Sequence, residues 1–268
     1  NSLCDAPLVR LAMTRTCILL EWLSHSYFVI CGVMQSKRGR LDRYLCTQLH
    51  THRKAVRELL LSGRVRVDGL IVKDMDRQVD EFSHIQLDEH ILQANAPVYV
   101  MLHKPIGVVS ATKDIQHKTV IDLLDCEARD ELHIAGRLDL NSSGLLLLTN
   151  DSRWSDALMS PTHKVDKVYR VTLANPITEE YIAAFAEGMY FGFEDITTQP
   201  AKLVILADNV AEVTLHEGKY HQIKRMFGRF RNPVVGLHRL SIGDIVLDEK
   251  LAPGESRALT AAEVASIR

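Results

Sequence analysis

The chain has 268 residues, 46% hydrophobic and 25% charged, which excludes a wholly disordered protein and leaves room for one large domain or two modest ones. Its net charge of -2 hides an uneven distribution: ten basic residues stand against three acidic ones from Lys37 to Lys73, and Lys219, Lys224, Arg225, Arg229 and Arg231 form a second basic cluster, a pattern suited to one extended polyanion. The five cysteines, Cys4, Cys17, Cys31, Cys46 and Cys126, are odd in number and contain no C-x-x-C pair, so they exclude a disulfide framework or zinc dithiol and read as reduced thiols of a cytoplasmic protein.

The stretch from Cys17 to Met34 is apolar, but Glu21, Ser24, His25 and Ser26 make it a poor spanning helix. It ends without the small-residue cleavage site of a secretory signal. Regular patterning begins only after Met34, so residues 1–36 read as an N-terminal extension, disordered or outside the native protein, and no membrane association is expected.

From Arg40 to Leu61 the residues Leu41, Leu45, Leu49, Val56, Leu59 and Leu60 recur at helical spacing, with His50-Thr51-His52 as a break, which predicts two short amphipathic helices. Ser62-Gly63 closes the second. Val65, Val67 and, past an Asp68-Gly69 turn, Ile71 then alternate with polar residues as a hairpin does. The arginines fall on faces the apolar stripes leave free, which suits a solvated surface as well as a binding face. The segment RLDRYLCTQLHTHRKAVRELLLSGRVRVDGLIVKD resembles the small RNA-binding domain named after ribosomal small-subunit protein four, with its R-L-D helix start and G-x-V-x-V-[DN]-G hairpin. The resemblance implies a domain over residues 37–94 in which Arg43, Arg53, Lys54, Arg57, Arg64 and Arg66 meet RNA phosphates, contacts that position RNA without reading its sequence.

Residues 93–97, Gln-Ala-Asn-Ala-Pro, have a linker composition, and a second domain is expected over 97–268. Strands are predicted at Val98–Leu102, Val108–Ser110 after a His103–Gly107 turn, Gly144–Thr149, Lys167–Leu173, Leu203–Ile205, Ala211–Leu215 and Ile242–Leu247. Helices are predicted at Thr178–Glu187 and Gln222–Arg229. Strands outnumber helices and few joins are long enough for βαβ crossovers. The expected class is therefore α+β, a helix-helix-hairpin domain followed by a mixed or antiparallel sheet flanked by helices.

Ala135 to Asp151 reads AGRLDLNSSGLLLLTND, a polar turn running straight into a buried strand. A carboxylate at the mouth of a core strand is held rigidly, and neighbouring hydroxyls and amides can keep it ionised. That suits a catalyst, and Asp139 equally suits an ordinary turn. The G-R-L-D run, followed by two hydroxyl residues, Gly and an apolar strand, resembles the central motif of pseudouridine synthases. Lys167-Val168-Tyr169-Arg170-Val171 resembles that family's K-x-Y-x-V strand. EGKYHQIKRMF, Glu217 to Phe227, with Leu237-His238-Arg239-Leu240, resembles the basic loop and strand that complete the site. Ser142-Ser143 stands where Thr-Thr is commoner. The run from the tyrosine through Lys224 is similar to the branch acting on 16S ribosomal RNA, whereas large-subunit relatives tend to carry Arg at the position of Lys224. A synthase acting on 23S RNA, a catalytically silent RNA-binding protein and a nucleoside glycosidase are the alternatives.

The resemblance implies isomerisation of a specific uridine in 16S ribosomal RNA, a site of the uridine-516 type, with neither metal nor redox cofactor. Asp139 would be the catalytic carboxylate, either attacking the sugar carbon or removing a sugar proton. Lys224 would pair with Asp139, or else meet a phosphate. Tyr169 would face the flipped uracil, or else belong to the core. Arg137, Ser142, Ser143, Gly144, His221, Gln222 and Arg225 would line the substrate site. His103, His133, His163, His216, His221 and His238 lack ligand spacing, so no metal is assigned. The expected partner is ribosomal RNA, free or within a small-subunit assembly intermediate, and the protein is expected to be a cytoplasmic monomer.

Overall fold

Apolar residues three and four apart in the first basic segment do fold as two helices. In the computed structural model, which describes residues 38–160 and 164–267, β1 (Arg38–Arg40) leads into α1 (Leu41–Gln48) and α2 (Arg53–Leu61). The readings of residues 1–36, with Cys4, Cys17 and Cys31, and of His163 lie outside the described residues. The chain divides into two units, one ending at Asn95 and the other spanning Ala96–Arg268.

In the first unit the helices are followed by β2 (Val65–Val67), β3 (Leu70–Ile71), β4 (Gln78–Asp80), β5 (Ile85–Leu87) and β6 (His90–Gln93). Leu41, Leu45, Val56 and Leu60 from the helices close over Val65, Val67, Val79 and Ile85 from the strands, all buried. Asp68 and Gly69 both take positive φ, 52° and 80°, the turn geometry whose twist matches a two-residue hairpin. Asp42 of the R-L-D run is buried and accepts from the Arg40 guanidinium at 2.7 and 3.0 Å, while the Arg53 guanidinium lies 2.8 Å away. The hydrogen-bonded Arg40 beside it holds the Asp42 carboxyl below its ordinary range. Gln93 is no linker residue: it is buried at the end of β6, and its amide donates to the carbonyls of Asp80 and Ser83 at 2.7 and 2.8 Å.

In the second unit β7 (Tyr99–Lys104), β8 (His133–Ala135), β9 (Ser143–Thr149), α3 (Ser152–Met159), β10 (Lys167–Leu173), α4 (Glu180–Glu187), β11 (Tyr190–Phe191), β12 (Ile196–Thr197), β13 (Lys202–Ala207), β14 (Val210–Leu215), α5 (Gln222–Gly228), β15 (Val234–Ile242), β16 (Ile245–Val246), β17 (Ser256–Ala258) and α6 (Ala261–Ala265) follow in order. Its main sheet is mixed, with strand order β13-β14-β10-β15-β9-β7-β17, β16 and β8 joining at β15 and β9, and only the β15–β9 pair among those described parallel. Helices cover both faces, so the α+β class follows. The four leucines of β9 explain their uninterrupted apolar run: Leu146 and Leu148 enter the core on one face, with α4 and α5, and Leu145 and Leu147 the core on the other, with α3.

Two strand predictions are corrected. Residues 108–110 form no strand beyond a single bridge between Val109 and Thr119, because Ser110 turns its hydroxyl onto both backbone groups of Leu138 instead of extending a ladder. Residues 242–247 are two strands, the end of β15 and β16, folded back at Gly243, which takes φ 55°. α3, β8, β17 and α6 carry too short or too mixed a pattern to be read from spacing. α3 starts at a strong cap all the same, Asp151 accepting from the amides of Arg153 and Trp154.

Where β9 begins, Gly144 takes φ 107° and lies against β15, so a Cβ there would come within 2.3 Å of the Arg239 carbonyl oxygen and 2.5 Å of its nitrogen. Main-chain atoms cannot move aside as a flexible side chain can. Gly144→Ala is expected to destabilise the protein by about 2–4 kcal/mol, seen as a lower urea midpoint at unchanged slope.

Candidate active site

Asp139 sits in the polar turn between β8 and β9, with its side chain 30% exposed at the mouth of the central strand. Such a turn leaves carbonyl groups without strand partners, and buried carbonyls need donors. Two buried cations supply them. Lys104, at the end of β7 and fully buried, donates to the carbonyls of Pro105 at 3.0 Å, Asp139 at 3.1 Å and Ser142 at 2.8 Å. Arg239, on β15 and 1% exposed, donates to the carbonyls of Gly136 and Leu145, each at 2.8 Å. The amide of Gly107 reaches the carbonyl of Leu140 at 2.9 Å, and Ser110 clasps Leu138. Lys104 and Ser110 were not among the expected site residues, and Arg239 was expected only as part of the strand that completes the site. The signal for the first lay in His103-Lys104-Pro105, which local pattern reads only as a turn.

The carboxylate so held faces α5. Lys224 Nζ donates to Asp139 Oδ2 at 2.9 Å, and His221 Nε2 lies 3.4 Å from Oδ1. His221 takes φ 49°, a left-handed conformation that costs on the order of 1 kcal/mol for a residue with a Cβ and turns the loop directly into α5. Glu217 braces that loop, accepting from the Gln222 side chain at 2.7 Å and from the Gln199 amide at 2.8 Å.

The other expected site residues separate into two groups. Arg137 is exposed beside the turn, and Ser143 is half-buried with its hydroxyl 2.9 Å from His238 Nδ1. Burial, with His103 and Arg170 nearby, pushes the His238 imidazole below its ordinary value. Tyr169 is 7% exposed on β10, its ring centroid 6.0 Å from the Arg239 guanidinium, and so presents a wall rather than a free plane. Three further residues expected to meet substrate are buried or paired within the protein. Ser142 is buried. Gln222 is buried with both ends of its amide engaged by Glu217 and Lys219. Arg225 forms a two-pronged pair with Glu194 and lies 3.8 Å above the Phe191 ring.

Charge counts along the sequence also overstate the free cations. In the second basic cluster Lys219 pairs with Glu217, Lys224 with Asp139 and Arg225 with Glu194, all acids outside that run of positive charge. In the first unit Arg64 pairs with Asp88 and Arg53 with Asp42, whereas Arg43, Lys54 and Arg57 are exposed on the helices and Arg66 donates to the Gly69 carbonyl on the hairpin.

Residues 98–228 match the family model described as RNA pseudouridylate synthase. The chain is 51% identical to the ribosomal small subunit pseudouridine synthase A of Pseudomonas aeruginosa, over 85% of its own length and 100% of the relative's. It is 46% identical to the protein of the same name from Vibrio cholerae, over 85% of this chain and 99% of that one. A solved structure described as a pseudouridylate synthase superposes with a TM-score of 0.63 at 41% identity, covering 85% of this chain and 99% of its own.

Burial lowers the Lys104 ammonium from its ordinary 10.5 to about 8, with Arg239 pushing the same way and the Asp139 charge pulling back. Below about pH 8 the lysine is protonated in folded and unfolded chains alike; between there and 10.5 only the unfolded chain holds the proton, so stability rises with pH across that window. Relative to Lys104→Met, the native protein is therefore expected to gain up to roughly 3 kcal/mol over this range. Urea unfolding of both proteins at several pH values measures it, and a constant difference would mean that Lys104 titrates normally.

Proposed function

Since this chain belongs to the RNA pseudouridylate synthase family, we propose that it converts one uridine of 16S ribosomal RNA, a site of the uridine-516 type, to pseudouridine, with Asp139 as its single catalytic carboxylate. The observation that carries the reading is the buttressed Asp139 carboxylate facing the Lys224 ammonium at 2.9 Å. The small-subunit substrate is supported by the names of the relatives and by the Tyr220-His221-Gln222 run before Lys224.

The reaction breaks the bond from ribose C1′ to uracil N1 and joins C1′ to C5 of the same base. C5 loses a proton and N1 gains one, so the isomerisation balances without a second reactant. Asp139 serves by attacking C1′ or by taking the proton from C2′. The uracil departs as an imide anion, which is tolerable without the second carboxylate a glycosidase uses, and it is kept for reattachment. Lys224 orients Asp139, Tyr169 walls the flipped base, and Arg137 at the rim takes a phosphate. In the first unit, Arg43, Lys54, Arg57 and Arg66 supply sequence-independent phosphate contacts, with Arg53 and Arg64 contributing through ion pairs that exchange for phosphate. The protein acts as a cytoplasmic monomer on 16S RNA, free or in an assembly intermediate. Among the described residues no helix is long and apolar enough to cross a membrane.

Incubating the purified protein with unmodified 16S RNA or small-subunit particles, then mapping pseudouridine by carbodiimide-dependent primer-extension stops, should give one new stop. Asp139→Ala should lower the rate by more than about 10³-fold, and Lys224→Met by about 10²–10³-fold. A stop only in 23S RNA would reassign the substrate, and no stop in either RNA would overturn the enzyme reading.

A further inference from the structure

The loop that brings Lys224 to Asp139 also carries an aromatic pair that the reaction as described leaves unused. The Tyr220 ring lies on the His221 ring, centroids 3.9 Å apart and planes 22° from parallel, and His221 is the residue whose Nε2 approaches Asp139 Oδ1 at 3.4 Å. Tyr220 is 75% exposed, so one face is covered by the imidazole and the other is open. An exposed aromatic contributes little to a core, yet this one is stacked on its neighbour and its backbone is tied to the fold. Its carbonyl accepts from Arg225 Nη1 at 3.4 Å, and the same guanidinium is fixed by Glu194 and by the Phe191 ring beneath it. The β11–β12 hairpin thus braces the loop through Glu194 and Phe191.

We propose that Tyr220 is a stacking platform for a nucleobase next to the target uridine in the substrate RNA. The base lies on the open face and prolongs a base–Tyr220–His221 stack that ends at the Asp139 carboxylate. This rests on the reading of Asp139 as the uridine-isomerising centre and adds to it a subsite for the flanking nucleotide. Turning a uridine out of its stack leaves its neighbours without a partner on one side, and an aromatic plane beside the reaction centre replaces what they lose. Every base has such a face, so the subsite contributes affinity without strong sequence preference. A protein partner would call for a contiguous apolar patch of some hundreds of Å², whereas the Tyr220 ring, backed by an imidazole, adjoins a carboxylate–ammonium pair.

The test compares the full-length protein with Tyr220→Phe and Tyr220→Leu on a 16S RNA fragment containing the target, with 2-aminopurine placed on either side of it in turn. Stacking on tyrosine or phenylalanine should quench 2-aminopurine at one of the two positions, and leucine should abolish the quench. Leucine should also lower kcat/KM by about 5- to 150-fold, carried mainly by KM, while phenylalanine restores both readouts. Wild-type kcat/KM and an unchanged quench in Tyr220→Leu would overturn the platform, as would the absence of quenching at both positions with the native protein. Fluorescence does not depend on turnover. A native protein that quenches but makes no pseudouridine would therefore refute the enzyme reading and leave the platform standing.

Discussion

The carboxylate turn is held in place by two cationic side chains, an ammonium and a guanidinium, buried where backbone carbonyls would otherwise be orphaned. Lys104 and Arg239 direct their N–H groups into the segment from Gly136 to Leu145, one from β7 and the other from β15, both paired with β9. Burying a cation is costly unless it is well solvated by fixed dipoles, and here the carbonyls of an irregular turn provide that solvation while gaining the donors they lack. Each requirement meets the other. Gly144 belongs to the same arrangement, since only a residue without Cβ lets the start of β9 lie against the backbone of Arg239.

A carboxylate fixed from behind can be addressed from the front by a second element. α5 enters through the left-handed His221 and brings Lys224 to one oxygen and His221 to the other. It is braced by the Glu217–Gln222 hydrogen bond and by the contacts of Arg225 with Glu194 and Phe191. Several residues of that basic run therefore shape the loop that presents Lys224, and their positive charge is largely answered within the fold. This is how a chain of net charge -2 carries dense runs of arginine and lysine and still leaves only some of them open to a polyanion.

Much of the architecture was legible because period and punctuation agreed. α1 and α2 follow the leucine spacing and break at His50-Thr51-His52, the Asp68-Gly69 turn sits where its dihedrals require, and the four leucines of β9 announce a strand buried on both faces. Short elements failed this test. β8, β17 and α6 run to three, three and five residues, too few for a period to show, and α3 mixes apolar and polar side chains, its buried face made of Trp154, Ser155 and Leu158. Residues 108–110 have strand composition, yet Ser110 satisfies Leu138 with its side chain and the ladder never forms.

By itself the sequence determined the α+β class, the strand that carries the carboxylate, and the identities of Asp139, Lys224 and Tyr169 as residues worth following, because those depend on local periodicity and on ordered motifs. Which side chains face the Asp139 carboxylate was decided by tertiary structure alone. Gln222 and Arg225 lie in the same helix as Lys224, but helical geometry sends successive residues to different faces, so Gln222 is buried, Arg225 is paired with Glu194, and Lys224 is the one of the three that reaches Asp139. The same reason hid Lys104, 35 residues from Asp139 along the chain and within hydrogen-bonding distance of its carbonyl once β7 lies beside β9.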